Sequence, residues 1–343
     1  MEKRTPSHGL GSLGSGAVTA VALGVQTGLA GVVGIVLGRE FGRGAVTDGF
    51  FAAYGIFVVV VLAANAIRVT VLPSFARARG DERLGGELAA FALALSTVAL
   101  PLLAAGVLAA GPLGELLTGG DGGVAADTAT EAIPWMLLAA TFQLYAGLAA
   151  SALAALDDYL VPAFGFVLGS LAGLALILLR VDADGVVALS RGMALNGAIA
   201  VAVPAVALLL RARSTATPAS AVRPGGEPYR RRLAAVGSGI ALPLALQAIY
   251  LVCVPLAARE GDGALTSFGF AYLISSAVVA VTVAASLTLL PALLGFAGTR
   301  VELTRWRGLI AAGFVAIALL GLGLKVDALV IGIPLAALVL IAG

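Results

Sequence analysis

The chain has 343 residues, of which 60% are hydrophobic and 12% charged, and its 21 basic and 19 acidic side chains leave a net charge of +2. At a mean hydropathy of +1.05 it carries more apolar surface than a soluble domain buries, and its near-neutral balance offers no footing for nucleic acid. A bilayer core about 30 Å thick accepts such a sequence as helices of roughly 20 apolar residues.

The apolar runs predict ten membrane-spanning helices, at 17–38, 50–72, 88–110, 132–155, 160–179, 187–210, 235–257, 268–290, 308–324 and 328–342. Helices are required because backbone N–H and C=O groups must pair within hydrocarbon, and the Val/Leu/Ala runs lack the alternation of barrel strands. The first run follows a basic start, as a secretory signal would, but it is longer than one and is expected to be retained. The last two are short and separated only by Lys325, Val326 and Asp327. The expected fold is an all-α membrane protein of about ten helices. Residues 1–210 form a six-helix bundle, 211–234 a basic linker, and 235–343 a partial second bundle.

Charge sorts by loop. The N-terminus and the even-numbered loops hold Lys3, Arg4, Arg77, Arg79, Arg83, six arginines between 211 and 232, Arg300, Arg305 and Arg307. The odd-numbered loops hold Arg39, Arg43, Arg180, Arg259 and Lys325 with many acids, among them Glu115, Asp121, Asp127, Asp182, Asp184 and Asp262. Translocation resists Lys and Arg, which predicts a cytoplasmic N-terminus and a cytoplasmic linker. That linker also lies where anionic membrane lipids would meet it. Cys253 sits alone in an apolar run and His8 in a polar tail; neither is assigned a role. No metal-ligand cluster, nucleophile–base set or phosphate-binding loop is present, so no enzyme, metal or cofactor is expected, and no feature sets an oligomeric state.

An internal repeat divides the chain. Residues 50–73 slide onto 268–291 without gaps to give ten identities in 24 positions, among them Phe50 with Phe268, Tyr54 with Tyr272, Thr70 with Thr288 and Pro73 with Pro291. By the charge rule both segments start at the outer face, so the repeat is parallel, one of the two repeat architectures of secondary transporters. Gly24 and Gly28, Gly34 and Gly38, and Gly165, Gly169 and Gly173 fall four apart, a spacing that predicts close helix packing.

Polar groups inside the spans are the candidate site. A mid-membrane charge costs at least about 2.5–3.5 kcal/mol on insertion scales. Arg68 stands 20 residues after Asp48, about 30 Å along one helix, so two readings stay open: it snorkels into the inner headgroups, or it lines a wet cavity. Arg191 sits near the outer end of the sixth span with Asn196 one turn deeper. Gln26, Gln143 and Gln247 fall near mid-span, where they either bond between helices or line a cavity, and Asn65 is a weaker member of that set. Asp48 is either an N-cap of the second span or an ion-coupling carboxylate.

The string FGRGAVTDGFFAAY at 41–54, a helix ending in VLPSFARA at 71–78, LVPAFGFVLGSL at 160–171 and LTLLPALL at 287–294 together resemble the MviN/MurJ-like lipid II flippase family, within the superfamily of MATE drug exporters and O-antigen flippases. The resemblance spans about residues 17–310. It implies two helical bundles around a central cavity and alternating-access transport of a lipid-linked precursor across the inner membrane. The family's first-helix arginines fall on Thr27 and Val33 here, and its Asp-Arg pair opening the eighth helix on Ala271 and Tyr272. Asp48 carries over directly, and Arg68 stands as a displaced cation. Family members have about fourteen helices, so the second bundle is expected to be short. Two further readings follow from the missing arginines: another exporter of the superfamily, for an amphiphilic drug or a lipid-linked polysaccharide, or a membrane scaffold that kept the fold.

Overall fold

The computed structural model describes residues 25, 29–80, 83–120, 122–214, 230, 232, 234, 237, 247 and 250–273. Two compact units divide the chain, Met1–Asp262 and Gly263–Gly343. The architecture is all-α. Its helices are α1 (29–40), α2 (Ala45–Gly80), α3 (Leu84–Leu108), α4 (Ala110–Leu117), α5 (Gly123–Ala155), α6 (Leu160–Asp184), α7 (Val187–Ser214), α8 (250–258) and, in the second unit, α9 (Ala264–Leu273). Of these, α3, α5, α6 and α7 are long and apolar enough to cross a membrane. The expected spans 308–324 and 328–342, and the copy of the repeat beyond Leu273, lie outside the described residues.

Helix ends depart from the expected spans for a common reason. Hydropathy marks the stretch that meets lipid, whereas a helix continues until its backbone finds a stop. α2 runs for 36 residues, about 54 Å at 1.5 Å per residue, and so protrudes from the hydrocarbon. Asp48 in its first turn and Arg77 and Arg79 in its last turn complement the helix dipole. α5 starts nine residues ahead of its expected span, just after Gly122 and at Gly123, whose φ angles are +69° and +80°. The short helix α4 was not anticipated. It follows a break at Ala109, and its Pro112 falls in the first turn, where no backbone donor is needed.

α5 is the central post. It packs on α2, α3, α4 and α7, while α6 packs chiefly on α7. Gly49 lets α2 close on α5: a Cβ there would collide with the Ala125 carbonyl and the Thr128 side chain. Phe75 and Phe91 meet edge to face at 5.6 Å within an apolar cluster of Ile67, Val71, Leu95, Leu144 and Leu148 that joins α2, α3 and α5. The glycine row of α6 does what its spacing predicts, with Gly165 against Val203 and Pro204, Gly169 against Asn196, and Gly173 against Gly192. Gly34, by contrast, faces open space. Leu93, Leu102, Leu108, Leu179 and Leu209 project outward, which is where lipid tails would receive them.

Ion pairs gather the helix ends. At the basic end, Arg79 reaches Asp157 at 2.6 Å and the Ala155 carbonyl at 2.8 Å, and Arg211 pairs with Asp158. Asp158 also accepts from the backbone N–H groups of Leu160 and Val161 at 3.1 and 3.2 Å, so one carboxylate caps α6 and holds α7. At the opposite end Asp184 binds Arg180 at 2.9 Å and Arg191 at 2.5 Å. The ends of α2, α5 and α7 and the start of α6 thus share one face, as the alternating loop charges require.

Candidate functional site

Arg68 is the centre of the candidate site. Its stem lies on α5, where a Cβ added to Gly147 would stand 3.3 Å from its Cγ and 3.5 Å from its Cδ. Gly147 precedes the end of α5 at Ala155 by eight residues, about 12 Å. The side chain presents open surface, while its stem rests on α5 at Gly147.

Gln143 joins it. It is half-buried on α5, one turn before Gly147 and on the same helix face. Along α2, Phe50, Tyr54, Phe57, Val61 and Arg68 recur at spacings of four, three, four and seven residues, which puts them on one face. Phe50 stacks on Tyr54 at 5.9 Å and Tyr54 leans on Phe57 at 5.7 Å. The result is an aromatic ladder on the half of the helix away from the arginine.

The other candidates stand elsewhere. Arg191 is bound to Asp184 at 2.5 Å and lies 5.5 Å over the ring of Trp135; its Nε is buried without a hydrogen-bond partner. Asn196 fills the α6–α7 seam, where a Cβ on Gly169 would come within 2.7 Å of its Oδ1, a buried atom with no partner. The pair therefore stands at the α6–α7 seam and at the helix end that carries Asp184. Asp48 is buried, but it is not the N-cap: α2 begins three residues earlier, and the Thr47 hydroxyl donates to the Gly42 carbonyl at 3.1 Å. Gln247 is half-buried, and so is Tyr272, which sits in α9 of the second unit. Asn65 lies on α2 three residues before Arg68, its side chain outside the described set, and Gln26 is outside the described residues altogether.

Two polar contacts escaped the sequence reading. Ser96 donates to the Ala92 carbonyl at 2.8 Å and meets the Tyr145 hydroxyl at 2.7 Å; the serine proton is already given, so the tyrosine donates. Glu87 and Arg232 form a buried pair at 2.7 Å. Small hydroxyls in apolar runs and charges beside loops are commonplace in one dimension, so no signal in the sequence marks either contact.

No family model matches the sequence, and no curated protein does so significantly. Solved structures do match the fold. The chain superposes on a lipid II flippase, MurJ in an inward closed conformation, with a TM-score of 0.61 and 13% identity over 81% of this chain and 58% of the flippase. It superposes on the MATE multidrug transporter DinF-BH, in a ligand-bound complex, with a TM-score of 0.63 and 18% identity over 98% and 81% of the two chains. A MOP-superfamily transporter from Pyrococcus furiosus, described as having a binding pocket of reverse polarity, gives 0.63 and 17% over 94% and 76%. The chain therefore spans under two thirds of the flippase's length. These likenesses establish that the chain shares the fold of these solved structures.

Proposed function

We propose that the chain is a multi-pass transporter that moves an amphiphile across a bacterial inner membrane by alternating access, with its N-terminus cytoplasmic, and that the amphiphile is a polyprenyl-diphosphate-linked cell-wall precursor. The observation that carries this reading is Arg68, a guanidinium with open surface whose stem lies against Gly147 of α5. A diphosphate entering a low-dielectric site needs a cation with fixed hydrogen-bond donors, which a guanidinium supplies. The polyprenyl part needs apolar surface, and the same face of α2 offers the half-buried Tyr54 and Phe57 beyond the arginine. The shared fold with transporters supports the class, and the positive-inside bias supports the orientation.

A second reading has its own support. The multidrug transporter is matched over 81% of its length against 58% for the flippase, which fits an exporter of an amphiphilic drug. The headgroup separates the two. Replacing Arg68 with Ala removes a charged hydrogen bond worth about 1.5–3 kcal/mol, so flipping should fall roughly ten- to hundredfold while insertion persists. Arg68→Lys should keep part of the activity, because charge survives without the bidentate fork. Complementation of a flippase-depleted cell reads this. Rescue that is indifferent to Arg68, with efflux of a cationic dye, would replace the flippase reading with the exporter.

A further inference from the structure

At the end of the bundle opposite the basic one, Asp184 accepts from two arginines. Arg180 chelates it, with Nε donating to Oδ2 at 2.9 Å and Nη2 to Oδ1 at 3.1 Å. Arg191 reaches Oδ2 through Nη1 alone, at 2.5 Å. The Nε–Nη2 edge is the one through which Arg180 grips Asp184 and Arg232 grips Glu87. In Arg191 that edge is unspent, and its Nε is buried without a hydrogen-bond partner. Trp135 holds the guanidinium from one side, with its ring centroid 5.5 Å from Arg191 Cζ. Two guanidinia against one carboxylate leave an excess of one positive charge where α5, α6 and α7 converge. The Asp184 side chain is 14% exposed against 52% for Arg180 and 36% for Arg191, so the cations and not the acid meet the surroundings. Two other acids nearby stand off: Asp182 lies about half a turn round α6 from Asp184, and Glu131 one turn further out along α5 than Trp135.

We propose that Arg180, Arg191 and Trp135 form a binding site for the phosphate of a phospholipid in the leaflet at that end, with preference for a headgroup of one net negative charge. Level and chemistry both fit. The apolar run of α6 ends at Leu179 and Arg180 follows it, so the guanidinia lie where hydrocarbon gives way to headgroups. Trp135 is exposed, and the amphipathic ring of a tryptophan sits at that border. The exposed Leu178 and Leu179 offer apolar surface to an acyl chain beside the cations, which a free phosphate lacks. A phosphodiester presents two oxygens that a guanidinium edge binds bidentately. A buried donor left unfilled costs free energy that such an oxygen recovers. Turning the Arg191 guanidinium on the Trp135 ring brings the unspent edge to its exposed side. The single excess positive charge matches a monoanionic headgroup, whereas a zwitterionic one brings an ammonium that the arginines repel.

Bromine quenches tryptophan on contact, and the chain holds two tryptophans, Trp135 and Trp306, so the full chain carrying Trp306→Phe reads the site alone. In nanodiscs of phosphatidylcholine, acyl-brominated phosphatidylglycerol should quench Trp135 more than acyl-brominated phosphatidylcholine at the same mole fraction. Arg191→Gln should erase that difference. Arg191→Lys should keep part of it, because charge survives without the fork, and Arg77→Gln at the basic end should leave it whole. Equal quenching by the two lipids in the Trp306→Phe chain would overturn the proposal, and so would a difference that survives Arg191→Gln. Should Arg191→Gln fail to insert, Arg180→Gln decides, since it leaves Arg191 paired with Asp184 and no excess charge. An undiminished difference there rejects the site, and a lost one supports it. Inorganic phosphate added to the buffer should not relieve the quenching; relief would overturn the lipid as occupant in favour of soluble phosphate.

Discussion

Replacing Gly169 with alanine tests what holds α6 to α7. Lipid tails are as apolar as leucine, so membrane helices associate through close van der Waals packing rather than through release from water. A Cβ on Gly169 would stand 2.6 Å from the Asn196 carbonyl oxygen, 2.7 Å from its Oδ1 and 3.4 Å from the Ala200 nitrogen, whereas ordinary contact starts at 3.4 Å. The backbone carbonyl cannot turn aside, so the seam must widen by about 0.8 Å at this level, a gap that forfeits a quarter to a half of each dispersion contact along it. Overpacking of this kind costs about 1–3 kcal/mol. Alanine recovers up to about 1 kcal/mol of helix propensity, so the net loss is about 0–2 kcal/mol. The control is Gly34→Ala, where nothing lies within 4 Å and only the gain should remain. The difference between the two variants, about 1–3 kcal/mol, is the quantity to measure, by thermal unfolding in detergent followed by size-exclusion chromatography. If Gly169→Ala is as stable as Gly34→Ala, the glycine row is not what brings these helices together.

The remaining expectations are quicker to state. Cysteines placed at Arg79 and Arg223 in a Cys253→Ser chain should resist an impermeant thiol reagent in intact cells, while one at Asp127 reacts; labelling at Arg79 would invert the orientation. Asp158→Ala should cost about 0.5–2 kcal/mol, because its carboxylate caps α6 as well as holding Arg211. Asp157→Asn should cost under about 1 kcal/mol, since its pair with Arg79 is exposed and screened by water; equal losses in thermal unfolding would show that the cap contributes nothing.

The class, the helical character and the alternation of charged ends were legible because they depend on composition and on a solvent that admits few structures. The glycine row was legible because spacing of four fixes a face. Helix length was not. What stops α2 or starts α5 is a local backbone conformation, as at Gly123, which hydropathy does not register. α4 escaped because eight residues interrupted by Gly111 and Pro112 have too little periodicity to distinguish from a loop. The Glu87–Arg232 pair escaped for another reason: both residues look like ordinary loop charge, and only the fold brings positions 145 apart into one dry contact.

Arg68 shows how much a count along one helix leaves open. Counting 20 residues from Asp48 placed it near a headgroup layer, on the assumption that the helix enters the bilayer where its apolar run begins. α2 runs from Ala45 to Gly80, longer than the hydrocarbon is thick, so position along the helix alone does not set depth. What the fold adds is the neighbour: Gly147 on α5 leaves the space against which the Arg68 stem lies. A glycine there looks the same in sequence as the glycines that merely pack helices. Its missing side chain admits the Arg68 stem as well as the Ala64 carbonyl, so the same glycine packs two helices and borders the candidate site.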